Sequence, residues 1–231
     1  AAVLADSGCP PAALLLEILE SPLASEHPGS LDEPGMQSLK ALGVRLVEDD
    51  LGAGYSSLIR LRQWPFDRIK IDQAIVLQAR HDPLNTLRFI RQLIRIGHDL
   101  RLEVVVEGLE TLDLIEAASL LGADFGQGYA LARPMPAEAL QGWLRAHRPA
   151  PRARVPRTSL GALAGELLWE EQFVALPAEP AFWATHSGRS CGPGDHAMHE
   201  AALKGPQDPH YRRMRETFLA ALVAHVLESS G

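Results

Sequence analysis

Two cysteines in 231 residues, Cys9 and Cys191, are too few to staple a fold, which excludes the disulfide frameworks of small secreted domains. No apolar run approaches the ~18 residues of a membrane span. No basic stretch precedes the first apolar run, as a secretory signal requires. A cytoplasmic chain without a membrane segment is the expectation. A basic surplus is also missing: 22 Lys and Arg stand against 29 Asp and Glu, a formal net charge of −7. That argues against grip on a nucleic-acid polymer through a broad basic face. Aromatics are sparse at 6 %, yet hydrophobic residues reach 46 % and charged ones 22 %, the balance of a soluble chain with a core. The length suits one large domain, or a medium one with a small companion.

The acid excess is local. Residues 1–146 hold 13 basic and 20 acidic side chains, whereas 147–231 hold 9 of each. Between the two parts, His147 to Arg157 carries four arginines and three prolines and no acid. Proline removes backbone donors and breaks helices and central strands, so 147–157 reads as a linker, its arginines as solvated charge or an anionic docking site. The expected division is 1–146, linker 147–157, and a small helical unit over 158–231.

Before the linker, strand-like and helix-like runs alternate. Strands are expected over Ala13–Leu19, Val44–Glu48, Phe66–Asp72, Leu102–Glu107 and near Asp124–Ala130. Helices are expected over Gly35–Leu42, Ser56–Gln63, Leu84–Ile96 and Thr111–Leu121, and after Pro136, with Gly43, Gly97 and Gly122 as stops. Repeated βα units mean a parallel sheet with crossover helices, an α/β fold.

The polar residues fall at the ends of these strands: Glu17, Asp49 and Asp50, Lys70 with Asp72, Glu107, Gln127. In an α/β barrel the carboxyl ends of the strands converge on one concave face. Carboxylates crowded there repel one another and call for a cation, and hard oxygen donors select Mg²⁺, Mn²⁺ or Ca²⁺ over Zn²⁺. Lys70 and Asp72 alone would be read as a salt bridge at the mouth, with Asp72 a structural or a catalytic partner. Tyr55 and Tyr129 are read as packing residues.

Five ordered segments carry a specific resemblance: Glu17-Ile-Leu-Glu-Ser21, Asp49-Asp-Leu-Gly-Ala-Gly-Tyr-Ser-Ser57, Ile69-Lys-Ile-Asp72, Val106-Glu-Gly-Leu-Glu-Thr111, and Gln127-Gly-Tyr129 with Arg133-Pro-Met-Pro136. Over about residues 1–146 the chain resembles the EAL-domain cyclic di-GMP phosphodiesterases. The resemblance implies a partial (β/α)8 TIM-like barrel, later strands only. It implies two Mg²⁺ or Mn²⁺ ions per complete site, with Ca²⁺ inhibitory, and hydrolysis of cyclic di-GMP to linear pGpG in bacterial signalling. On the matching positions, Glu17 would ligate the first metal, Asp49 would bridge both, and Asp50 with Glu107 would serve the second. Lys70 would stand near the attacking water and the phosphate, and Gln127 would help to order the site. Glu20 and Glu110 would hold the loop Asp50–Ser57, whose Gly52 and Gly54 permit a tight backbone.

Departures from the family pattern are Leu19 for threonine, Leu51 for phenylalanine, Ala53 for threonine and Leu109 for valine. Glu48 stands where an apolar residue is usual, and is expected to be exposed or locally paired. The name-giving glutamate and a later asparagine lie, in the family, upstream of the segment matching Glu17. The chain is therefore expected to be a piece of a longer product, preceded by sensory or diguanylate cyclase domains and able to form a homodimer. The alternative to an enzyme is an inactive EAL module binding cyclic di-GMP or a protein partner; a decayed remnant is a third reading.

After the linker, Ser159 is expected to cap a helix holding Leu160, Leu163, Leu167 and Leu168. Tyr211, Met214, Phe218, Leu222 and Val226 mark the stripe of a second. His186, Cys191, His196 and His199 in the turn-rich stretch between are read as loop histidines and a buried thiol, with ligation of zinc or haem-type iron the alternative.

Overall fold

Among the described residues, short β-branched or leucine-rich runs pair into five strands: β1 Leu15–Ile18, β2 Arg45–Leu51, β3 Arg68–Ile71, β4 Glu103–Val106 and β5 Phe125–Gly126. The computed structural model describes residues 2–19, 33–52, 58–148, 155–175 and 206–229. Every neighbouring pair is parallel, and the order in the sheet is the order in the sequence. Helices α1 Ala2–Ser7, α2 Glu33–Ala41, α3 Leu58–Gln63, α4 Gln73–Leu77, α5 Pro83–Asp99, α6 Leu112–Leu121 and α7 Ala137–Ala146 precede, separate and follow the strands. Sequential parallel order with helical crossovers is the winding of a (β/α) barrel; a doubly wound sheet would reverse its order.

Side chains alternate across the strands. Leu46, Ile69, Ile71, Val104 and Val106 point into one apolar cluster with Leu87, Ile90 and Ile94 of α5 and Leu114, Ala117, Ala118 and Leu121 of α6. Val47 and Val105 are buried but lie outside that cluster, on the opposite side of the sheet. That side carries Glu17, Asp49, Lys70 and Glu107.

The amino ends of the strands are tied by a repeated device. Asp67, one residue before β3, accepts the amide N–H of Leu46 in β2 at 2.8 Å and binds the Lys40 ammonium at 2.6 and 2.8 Å. Asp124, one residue before β5, accepts the amide of Val104 in β4 at 2.9 Å and meets His98 Nε2 at 2.9 Å. Asp67→Ala would leave that amide without its acceptor, at a cost of about 1–3 kcal/mol. A lower urea midpoint is the expected result; an unchanged one would show that water replaces the carboxylate freely.

Gly43 and Gly122 stop α2 and α6 at left-handed φ values of 86° and 100°, as expected. Gly97 does not stop α5, which runs on to Asp99. Its role is close packing: a Cβ there would stand 2.5 Å from Val104 and 2.9 Å from Ile69. The last strand is two residues long, not the run to Ala130 that the sequence suggested, because the chain turns at once. Gln127 accepts from the Leu109 amide and Gly128 from the amides of Leu131 and Ala132.

Two helices complete the described chain, α8 Ser159–Ala175 and α9 Pro209–Ser229. Leu160, Leu163, Ala164 and Leu167 of α8 and Leu219 and Val226 of α9 join the same apolar cluster as the sheet. Glu116 of α6 clamps the start of α8, accepting the amides of Arg157 and Thr158 at 2.9 and 2.8 Å and the Thr158 hydroxyl at 2.5 Å. Thr158, not Ser159, is the cap: its oxygen accepts the Gly161 amide at 3.0 Å. Arg91 of α5 grips Glu171 at 2.8 Å and also donates to the carbonyl of Leu121. Of the stripe expected on α9, Tyr211 and Val226 are buried and Met214, Phe218 and Leu222 half-buried, while Arg215 and Leu219 are buried beside them. Arg215 is drawn inward by Glu166 at 2.9 Å and Glu170 at 3.3 Å. Residues 149–154 of the linker and His186, Cys191, His196 and His199 lie outside the described residues. Among the described residues no helix is long and apolar enough to cross a membrane.

Candidate active site

The strand ends do converge. Lys70 is 6 % exposed, and its ammonium lies 3.1 Å from Glu17 Oε1, 2.8 Å from Asp49 Oδ1 and 2.7 Å from Glu107 Oε1. Four consecutive strands thus meet at one nitrogen. Burial pulls the Lys70 pKa down, but the carboxylates of Asp49, Glu107 and Glu17 outweigh it and hold the group firmly protonated. The reading of Lys70 as a salt bridge to Asp72 is replaced by this three-way contact.

Consecutive residues on a strand face opposite ways, so Asp49 and Asp50 should not share a site. They do because β2 bulges. Glu48 pairs with Ile69 and Leu51 with Ile71, which leaves two residues of β2 against the single Lys70 of β3. Asp50 adopts φ 57°, and Gly52 follows at φ 96°. A side chain at Gly52 would be strained by that φ and would also place its Cβ 2.3 Å from Ile75. The bulge brings oxygens of Asp49, Asp50 and Glu107 within 4.8 Å of one another. Burial first, then the Asp49, Asp72 and Glu107 carboxylates, raises the pKa of Asp50.

Asp72 proves to be both cap and neighbour. It accepts the amide of Ala74 at 2.7 Å as the N-cap of α4, and its carboxylate is among the negative neighbours that raise the pKa of Asp50. Gln127 stands one residue past β5 with an exposed side chain, its amide donating to Val106 O at 2.9 Å. Glu110 pairs with Arg80 at 2.5 Å near the surface. Glu20, Gly54 and Tyr55 lie outside the described residues. Tyr129 is not a packing residue: it is 57 % exposed, with the Arg133 guanidinium 4.8 Å over its ring.

Glu48 is not exposed. It faces the helix side of β2 at 1 % exposure and meets Arg60 of α3 at 2.5 Å. The sequence leaves local pairing of Glu48 open, and nothing in it singles out Arg60, which lies 12 positions away.

The donor set fits a hard divalent cation. Asp49 Oδ1 is shielded from solvent, and among the described residues no donor reaches it at a hydrogen-bonding angle despite the nearby ammonium. Glu17, Asp49, Asp50, Asp72 and Glu107 set five carboxylates against one ammonium, a deficit that oxygen-seeking cations offset.

Comparison with known proteins agrees with this geometry. The EAL domain family model matches residues 1–134. A Caulobacter vibrioides signalling protein is 41 % identical over 163 residues, covering 68 % of this chain and 19 % of its own length. The cyclic di-GMP phosphodiesterase RocR of Pseudomonas aeruginosa is 36 % identical over 135 residues, covering 58 % of this chain and 34 % of its own. This chain therefore spans between about a fifth and a third of these two relatives. Among solved structures, the PaMucR phosphodiesterase in complex with c-di-GMP superposes with a TM-score of 0.54 at 34 % identity, covering 60 % of this chain and 55 % of that one. The EAL domain of Mycobacterium smegmatis DcpA gives 0.57 at 28 % identity, covering 64 % and 65 %. With the family model covering more than half its length and five strands wound as in such barrels, the chain belongs to the EAL domain family.

Proposed function

We propose that this chain is part of a cyclic di-GMP phosphodiesterase that opens one phosphodiester of the cyclic dinucleotide to give linear pGpG. The observation that carries the reading is the meeting of Glu17, Asp49 and Glu107 around Lys70 at the carboxyl ends of four strands, with Asp50 beside Asp49 and Glu107. Names of relatives add support, RocR being a cyclic di-GMP phosphodiesterase.

Asp49, Asp50 and Glu107 would hold one ion, and Asp49 with Glu17 would contribute to a second, Mg²⁺ or Mn²⁺ in each case. When bound, two divalent ions make water a nucleophile near neutral pH and neutralise charge on the attacking and leaving oxygens. The protein's own groups do the rest. The carboxylates fix where positive charge sits, so an anionic phosphodiester is drawn to a mouth that would otherwise repel it. Lys70, held protonated, places an ammonium where negative charge develops on the phosphate. Gln127, one residue past β5, would help to order the site. Ca²⁺, with looser and more variable coordination, would support the geometry poorly and inhibit. Residues 1–146 form the EAL portion, 147–157 the connector and 158–231 the helical unit, with sensory or cyclase domains upstream in the cytoplasmic parent and homodimerisation available to it.

The test is product analysis on the full-length gene product loaded with Mg²⁺ or Mn²⁺. Linear pGpG is the expected result, suppressed by Ca²⁺. Retention of cyclic di-GMP without any product would overturn the catalytic reading and favour a binding module.

A further inference from the structure

Glu48 and Arg60 form a buried ion pair that the proposed chemistry does not use. We propose that they are positioning residues for the metal site: the pair pins the β2 bulge and so sets where Asp49 and Asp50 point. The inference rests on the metal-site reading above.

Glu48 is the last residue of β2 in register with β3 before the bulge, paired with Ile69. Its side chain leaves on the face opposite Asp49, is 1 % exposed, and contacts Arg60 Nη2 at 2.5 Å. Arg60 is itself only 13 % exposed along its side chain, and its guanidinium sits 4.7 Å from the centroid of Trp64 and 6.0 Å from that of Phe66. Its Nε is buried without a hydrogen-bond partner among the described residues. A guanidinium so enclosed is held by the carboxylate and the rings and has few other places to go. The pair spans 12 positions, joining the strand just before Asp49 to the helix that follows the Gly52 turn. It therefore fixes both ends of the segment in which Asp50 takes φ 57°. On the far side of the bulge Leu51 is buried at 1 %. Between these anchors the two aspartates have little freedom. Residues that orient metal ligands without touching the metal typically change its affinity by ~10–100-fold when removed.

The test compares Glu48→Leu, Arg60→Leu and the double variant in the full chain, with Glu48→Gln as the mildest change should a leucine variant fail to fold. Mn²⁺ affinity is read by calorimetry well below each variant's Tm, with the amide signals of Asp49 and Asp50 followed by NMR. Each single leucine variant is expected to bind Mn²⁺ ~10-fold more weakly and to shift both amides, and Glu48→Gln to move the same way by less. The double variant is expected to lose less than the product of the two single losses, because it strands neither charge. Variants with a lowered Tm but unchanged Mn²⁺ affinity and amide signals would make the pair purely structural and overturn the inference alone. No Mn²⁺ binding by the unsubstituted chain would overturn the metal-site reading and this inference with it.

Discussion

Asp49→Asn is expected to lower turnover of cyclic di-GMP by about 10³-fold or more, while Glu110→Gln costs less than about tenfold. Asp49 is the residue proposed to serve both cations: its oxygens lie within 4.8 Å of those of Asp50 and Glu107, and it meets Lys70 at 2.8 Å. The amide keeps the shape but removes the charge that neutralises the ions, and transition-state stabilisation of several kcal/mol depends on them. Each ~1.4 kcal/mol is a factor of ten in rate. Glu110 reaches the site through no described contact; its partner Arg80 is 54 % exposed along its side chain, and pairs of that kind contribute little. Turnover of the full-length gene product with saturating Mn²⁺ measures both. Equal losses would mean that Asp49 is not a ligand or that Glu110 works closer to the chemistry than its place beside Arg80 allows.

The strand ends were legible because each motif carries its own chemistry locally. An acid after a β-branched run in a βα repeat has one natural position, the mouth. The bulge was not legible. Whether Asp49 and Asp50 oppose one residue or two depends on β3, and nothing in the run Val47-Glu48-Asp49-Asp50 reports what its neighbour does. The same limit explains Gly97. A glycine at the end of a helical period is a stop or a point of close approach, and Ile69 and Val104, which decide between the two, come from β3 and β4. Thr158 outranked Ser159 as the cap because Glu116, 42 positions away, orients it. In α9 an arginine on the buried stripe contradicted hydrophobic periodicity, and two glutamates on α8 made that burial tolerable. Local pattern placed the elements, and contacts between distant segments decided their ends and faces.

Lys70→Met is expected to destabilise the metal-free chain by about 2–3 kcal/mol and to make its melting temperature rise more with Mn²⁺ than that of the unsubstituted chain. Without metal, the ammonium is the cation that Glu17, Asp49 and Glu107 share, each within 3.1 Å. Methionine fills its volume but leaves three carboxylates facing one another. A fully enclosed cluster stripped of its partner would lose about 3–5 kcal/mol. Glu17 is 52 % exposed along its side chain, so solvent screens part of the repulsion and the smaller figure applies. A divalent ion held by Asp49, Asp50 and Glu107 restores positive charge to the same space. Its binding to the folded state alone raises stability as the logarithm of its concentration over Kd. Where the lysine competes for those oxygens, removing it strengthens that binding. Thermal melts of both chains across an Mn²⁺ series separate the two effects. A Lys70→Met chain as stable as the unsubstituted one without metal would show that the ammonium does not hold the cluster together. A smaller Mn²⁺ response than in the unsubstituted chain would show instead that Lys70 assists the metal rather than standing in for it.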